Sequence, residues 1–335
     1  MGKTVSVIIP LYNGSKYIKE AINSVVNQTY PDIELIVIND GSTDSSEEIV
    51  LSMEDELRKR FIKFIYLYQD NGGVAKVMNR GISLSSGDYI VSLAQDDIQE
   101  QYMIEKLISV VKEIDDETCM VCGDAIFIDE NSKKIYLKPH IEPEKVEKSF
   151  EEKEGFFGSF IDFTTFGRGK PVEEFFGKYE SLLMGNYIPI NASIIKKEAL
   201  KKVGMFTEGN FIEDWDLWLK LSKKYKFYLL KEPLLKYRWH SSNSSKKNRT
   251  KLLISSLETL INEYNFAKEH GYLREWSISF MNHINLLKNS LNDKKLISYL
   301  NKIQFSDLTK TRKVLNKLKK EILLKKRNIR CLGIQ

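Results

Sequence analysis

Between Val5 and Asp97 one pattern recurs: a short apolar run, a polar or glycine-rich break, then an amphipathic stretch. Val5 to Pro10 is rich in β-branched residues, breaks at Asn13-Gly14 and leads into Ile18, Ala21, Ile22, Val25 and Val26 at helical spacing. Ile33 to Ile38 ends in Asn39-Asp40-Gly41-Ser42-Thr43-Asp44, a tight turn followed by helix-capping residues. Phe61 to Tyr68 closes on Gln69-Asp70-Asn71-Gly72-Gly73 before a helical stretch through Leu84, and Tyr89 to Leu93 is the fourth run. Strand, loop and helix in units of about thirty residues predict an α/β chain with a mostly parallel sheet and helices on both faces. Ligands of such sheets sit beyond the carboxyl ends of the strands, so the four polar ends are expected to converge on one edge as a nucleotide site.

Each end offers its own chemistry. Pro10, Tyr12 and Asn13 supply an aromatic face and an amide; Asp40 supplies a carboxylate able to accept from a base N–H; Asn71 and Gly73 allow close backbone approach at a helix start. Taken singly, Asn-Gly, Asp-Gly and Gly-Gly are turn signals. The fourth end carries the adjacent acids Asp96 and Asp97, placed to hold a hard cation and, through it, a phosphate. The competing reading makes them caps of a helix beginning near Gln99.

The 335 residues suit about two domains, and 42% hydrophobic with 29% charged residues is ordinary for a soluble globular protein. No apolar run approaches the roughly 18 residues that span a bilayer, and the patch ending at Pro10 is short for a signal peptide, so a cytoplasmic location is expected. Three cysteines make no disulfide framework. Cys119 and Cys122 lie in a strand-like stretch, where positions three apart face oppositely, so the pair is read as structural rather than as a zinc or redox site.

Beyond Gly123 the regularity ends. Asp124 to Leu137 reads as a hairpin around Glu130-Asn131-Ser132, and Pro139 to Glu154 is highly charged. Phe156 to Tyr179 is rich in phenylalanine and glycine, which fits either a lid over an acceptor or a surface loop tucked back on aromatic anchors. Gly185 to Ser193 returns to strand character, Lys196 to Val203 reads as a short helix, and Glu213 to Leu219 opens an amphipathic one. A predicted strand, Leu234 to Trp239, precedes His240, and Ser241 to Ser245 is suited to a flap over the donor. The chain thus divides into residues 1–245, with a donor half to about 125 and an acceptor half beyond it, and a helical region, 246–335. Between Lys302 and Arg330 eleven Lys and Arg stand against two Asp and Glu, although the whole chain is only +5. That basic end suits the anionic inner face of a membrane, or equally a solvated helix packed on its own domain or on another subunit. It lacks the interleaved aromatics of a nucleic-acid binder.

Five stretches in order, Val5 to Asn13, Asn39 to Asp44, Asn71 to Gly81, Leu93 to Asp97 and Glu213 to Trp218, together resemble the family 2 inverting glycosyltransferases, which use nucleotide sugars on an A-type, Rossmann-like fold. The resemblance implies a nucleoside, usually uridine, among Pro10, Tyr12, Asn13 and Asp40, with Asn71, Gly73, Lys76, Asn79 and Gln95 on the same donor side. It implies that Asp96 holds a divalent metal, Mn2+ or Mg2+, against the diphosphate, joined by Asp97 and His240. Asp214 then matches the catalytic base, and Glu213, Asn186 and Asn191 flank the acceptor together with Trp215, whose spacing with Trp218 and Leu219 also reads as core packing. The implied reaction moves a sugar from a nucleoside diphosphate sugar to a hydroxyl of a glycan, lipid-linked or polymeric acceptor, as in bacterial surface polysaccharide assembly, by a cytoplasmic enzyme peripheral to the membrane. Homo-oligomer formation stays open.

Two positions depart from the pattern. The common Leu-Asp-x-Asp-Asp is Leu93-Ala94-Gln95-Asp96-Asp97 here, and the Arg that commonly precedes the residue matching Asn79 is Met78. Both keep open a catalytically silent relative that binds or scaffolds a partner. A nucleotidyltransferase would need a basic loop gripping a triphosphate near the first strand, for which Gly14-Ser15-Lys16 is too slight.

Overall fold

The computed structural model describes residues 3–139, 146–243, 248–291, 293–303 and 308–331, with side chains as far as 322 in the last stretch. The chain forms two compact units, one of residues 1–182 and 186–240, the other of 183–185 and 241–335.

The first unit realises the expected alternation. Its opening elements are β1 (Val5–Leu11), α1 (Ile18–Val26), β2 (Ile33–Asn39), α2 (Ser46–Ser52), α3 (Glu54–Arg60), β3 (Lys63–Tyr68), α4 (Val74–Leu84) and β4 (Tyr89–Ser92). β1 lies parallel to β2 and β4, with Val5 opposite Ile33 and Tyr89, and β2 lies parallel to β3. Every residue of β2 is buried, as befits a strand covered on both faces, and its sequence is accordingly an almost continuous aliphatic run. α4 approaches β1 closely: a Cβ on Gly81 would come within 2.7 Å of Ile8 Cγ2.

The chain continues with β5 (Ile98–Gln99), α5 (Met103–Val111), β6 (Thr118–Ile128), β7 (Tyr136–Lys138), β8 (Glu147–Ser149), α6 (Phe160–Thr165), α7 (Tyr179–Leu183), β9 (Ser193–Lys196), α8 (Lys197–Lys202), α9 (Glu213–Ser222) and β10 (Lys226–Arg238). The eight-stranded sheet runs β3-β2-β1-β4-β9-β6-β10-β5. β9 is antiparallel to both neighbours, β6 and β10 are parallel, and β5 closes the edge antiparallel to β10. The mostly parallel α/β architecture agrees with the sequence reading.

Several local expectations change. No helix begins near Gln99: β5 occupies that position and α5 starts at Met103, so Asp96 and Asp97 do not cap it. Between Gly185 and Ser193 the chain is mostly irregular, with a 3-10 turn at Ile190–Ala192, and strand begins only at Ser193. Cys119 and Cys122 are both buried in β6, and burial pushes both thiols up, leaving them unreactive. The hairpin after β6 forms, with Ile128 bridging Lys134. The phenylalanine-rich stretch is anchored: Phe157 bridges Leu137, while Phe160 and Phe163 pack on Phe127. Of the expected flap, residues 244 and 245 lie outside the described residues, as do 140–145 of the charged stretch.

The second unit is helical, with α10 (Arg249–Glu269), α11 (Leu273–Asn289), α12 (Lys294–Leu300) and α13 (Leu308–Cys331). Trp276 of α11 donates its indole N–H to the Leu260 carbonyl at 2.5 Å and stacks on Phe280 at 4.8 Å. Asp293 caps α12 by accepting from the Lys295 and Leu296 amides. α13 buries Thr311, Leu315 and Leu318, three or four residues apart as one helical face requires. Among the described residues no helix is long and apolar enough to cross a membrane.

Candidate active site

Hydrogen bonds lace the carboxyl ends of β4, β1, β2 and β3 into one rim. Tyr12, exposed at the end of β1, donates its N–H to Gln95 Oε1 (2.7 Å), and Gln95 Nε2 donates back to the Tyr12 carbonyl (3.0 Å). A side chain at Gly14 would come within 2.5 Å of that amide oxygen, so the ring of bonds needs glycine beside it. Asn13 sits at φ 49°, a region asparagine tolerates; its side chain accepts from the Thr43 amide (2.8 Å) and its own amide donates to Ser42 Oγ (3.0 Å). Pro10 lies within β1 opposite Ile38.

Asp40 is buried and almost fully engaged. Its Oδ1 accepts from Gln69 Nε2 (2.7 Å) and the Gly72 amide (2.8 Å), and its Oδ2 from the Gly73 amide (2.8 Å). Arg80 fixes the Gln69 amide by donating to its oxygen at 3.0 Å, and Asn71 donates to the Asp40 carbonyl at 2.9 Å. The carboxylate expected to meet a base therefore shapes the Gly72-Gly73 turn ahead of α4, where Gly73 stands at φ 86°. The Lys76 stem folds over Gly72, leaving its ammonium at this rim. Asn79 departs from its expected donor-side place: it clamps the Phe206 backbone, donating to the carbonyl (2.9 Å) and accepting from the amide (3.0 Å). Met78, at the position commonly held by Arg, is buried with its sulfur 3.8 Å from Ser92 Oγ.

At the next strand ends, Asp96 Oδ2 lies 2.8 Å from His240 Nε2, bringing together two groups more than a hundred residues apart in sequence. Asp97, expected as a further metal ligand, turns inward instead: Oδ2 accepts from Asn191 Nδ2 (2.8 Å) and Oδ1 from the Arg238 amide (2.9 Å). Burial, then the neighbouring Asp96 charge, pushes the Asp97 carboxyl well above the usual range. Asn191, expected beside an acceptor, is the support of Asp97. Among the described residues no cluster of three His, Cys, Asp or Glu suited to a metal occurs.

α9 opens with Glu213 and Asp214, and its N-cap, Ile212, has no side chain to bond the first amides. Asp214 Oδ2 accepts from Asn186 Nδ2 at 2.7 Å and Oδ1 from the Trp215 amide at 2.7 Å. Burial raises the Asp214 carboxyl in spite of these bonds; burial and then the Asp214 charge push Glu213 up to about 7. A carboxyl pair that holds its protons more tightly than ordinary carboxylates is suited to accept one from a hydroxyl. Trp215, expected against the acceptor, is buried and donates its indole N–H to the Leu182 carbonyl at 2.6 Å, propping α9.

Two neighbours escaped the sequence reading. Arg238 is 1% exposed and bonds the backbone of Asp96. The Tyr237 phenol is pushed up by burial and then by the charges of Asp97, Asp96 and Asp214. The signal was an Arg that is buried although it lies at the end of a strand, immediately before Trp239 and His240.

Residues 6–170 match the family described as Glycosyl transferase family 2. An uncharacterized glycosyltransferase of Rickettsia typhi is 32% identical over 243 residues, 72% of this chain and 65% of its own length. The chain belongs to that family. Another family relative, glycosyltransferase GlyG of Streptococcus pneumoniae, is 38% identical over 140 residues, 41% of this chain and 44% of its own. This family 2 chain thus spans under two thirds of the length of these curated relatives. Its fold is shared with S. aureus TarS 1-349, solved with UDP-GlcNAc, at a TM-score of 0.53 and 16% identity over 95% of this chain and 92% of that one. It is shared too with the mannosyltransferase PcManGT of Pyrobaculum calidifontis, solved with GDP-Man and Mn2+, at a TM-score of 0.54 and 14% identity over 97% and 81% of the two chains.

Proposed function

We propose that the chain transfers a sugar, with inversion, from a UDP-linked donor to a hydroxyl of a glycan, lipid-linked or polymeric acceptor, with a divalent cation at Asp96 and His240. The observation that carries this reading is the 2.8 Å approach of Asp96 Oδ2 to His240 Nε2, two groups suited to share one cation, beside an Asp214 carboxylate held by Asn186 at 2.7 Å. The UDP-GlcNAc and the GDP-Man with Mn2+ bound by the two fold neighbours support a nucleotide sugar and a metal here. A carboxylate and an imidazole suit such an ion, which commonly keeps water and substrate phosphates rather than a full protein cage. When bound, the ion neutralises charge on the departing diphosphate.

The remaining steps belong to this chain. The rim from Tyr12 to Gly73 receives the nucleoside, its loops already held by Asn13, Gln95 and Asp40. Asp214, oriented by Asn186, takes the acceptor proton as the oxygen attacks the anomeric carbon from the side opposite the leaving group. One displacement with one base inverts the configuration. Surface polysaccharide assembly at the inner face of a membrane is the setting that the basic carboxyl end favours. Met78 and Ala94 favour the rival reading of a silent relative.

The test is titration calorimetry of the full chain with UDP, dTDP and GDP, with and without Mn2+, repeated on Asp96→Ala. Mn2+-dependent UDP binding that the substitution abolishes is expected. Absence of binding to all three nucleotides under every metal condition would sink the reading in favour of the silent relative.

A further inference from the structure

Arg238 holds a guanidinium at 1% exposure, a burial tolerated only when its donors are matched. Its backbone N–H donates to Asp97 Oδ1 at 2.9 Å, and its Nε–H donates to the Asp96 carbonyl at 2.8 Å. One residue thereby grips the Asp96–Asp97 segment at two points. The Asp96 carboxylate is left to turn toward Nε2 of His240, two residues further along the same strand end. The far side of the guanidinium is anchored three times: to the Asp129 carbonyl (3.0 Å), to Ser132 Oγ (3.0 Å) and to Glu20 Oε2 of α1 (2.5 Å). It also lies 4.5 Å from the centroid of the Tyr17 ring, which stands 5.5 Å from the ring of His240. A lysine, with one nitrogen and no planar fork, cannot reproduce this set.

We propose that Arg238 is the positioning residue of the cation site, fixing the Asp96 carboxylate against His240 and tying that pair to α1 and to the turn at Asp129–Ser132. The proposal rests on the donor-site reading above. Removal of an outer-shell group of this kind changes metal affinity by about 10- to 100-fold.

The test compares the full-length wild type with Arg238→Lys and with Glu20→Gln, the latter a change at a 44% exposed side chain that keeps the guanidinium but loosens its anchor. Mn2+ alone is titrated by the electron paramagnetic resonance of the free ion, UDP is titrated with and without Mn2+, and backbone hydrogen exchange is mapped. Mn2+ affinity is expected to fall about 10- to 100-fold in Arg238→Lys and less, in the same direction, in Glu20→Gln. Metal-free UDP binding stays unchanged, and exchange quickens over residues 94–98, where the Asp97 amide bonds the Ala94 carbonyl. Should Arg238→Lys fail to fold, Glu20→Gln carries the comparison. Wild-type Mn2+ affinity in the folded variants, whatever their melting temperatures, overturns the proposal. A wild type that binds no Mn2+, with or without UDP, instead overturns the donor-site reading. Exchange over 94–98 then decides alone: quickened in the variants it supports the positioning role, unchanged it refutes it.

Discussion

Glu213 and Asp214 share one problem, two adjacent half-buried carboxyls, and their chemistry depends on which of them keeps a proton. Both bind protons more tightly in the folded chain than in the unfolded one, so their stabilisation is complete below the ordinary carboxylate range and is lost as pH rises, for Glu213 through about 7. Glu213→Gln, neutral throughout, is therefore expected to raise the melting temperature by about 2 °C near pH 8 and by less near pH 5. An equal shift at both pH values would contradict the assignment. Catalysis runs the other way, because the base must be free: transfer is expected to rise with pH as Asp214, whose carboxyl burial raises, loses its proton. Asp214→Asn should lower turnover by about a thousandfold with UDP affinity intact, measured by steady-state kinetics beside calorimetry. Loss of UDP binding in that variant would move Asp214 from base to donor contact.

At the scale of elements, the loops after β1, β2 and β3 act as one piece because Asn13 and Asp40 join them. Asp40→Asn keeps the shape but replaces one acceptor oxygen with an NH2, which then faces either the Gly73 amide or the Gln69 and Gly72 donors. A cost of about 1 to 3 kcal/mol in denaturant unfolding is expected, together with weaker UDP binding both with and without metal. Unchanged UDP binding would mean that the glycine turn lies outside the donor site. The strands and helices were legible because their periodicities are local: Ile33 to Ile38 reads as a buried strand without knowledge of its partners. The duties of the rim residues were not. Asp40 bonds groups 29 to 33 positions away and Asp97 bonds one 141 positions away, and no spacing rule reveals whether a carboxylate at a strand end will meet a ligand or an amide of its own chain. Asp96 stands beside His240 and Asp214 beside Asn186, whereas Asn79, Asn191 and Trp215 bond other parts of the chain as braces.

For the whole molecule, the basic end sets the expected setting. One of its cations is already matched, since Lys319 pairs with Glu258. If the rest meets a membrane, the full chain should sediment with vesicles rich in phosphatidylserine at low salt and release as ionic strength rises, each Lys or Arg near the surface contributing about 1 kcal/mol. Equal binding to neutral vesicles, or none to acidic ones, would leave α13 as an ordinary packed helix.

The mutual clasp of Gln95 and the Tyr12 backbone carries a consequence for how such a chain can change over generations. Because Gln95 holds the loop's shape, the side chain at position 94 is relieved of structural duty and is partly open to solvent. On the donor-site reading proposed above, single substitutions there would tune the donor grip without refolding, so that a lineage could trade residence time of the nucleotide against release through one codon.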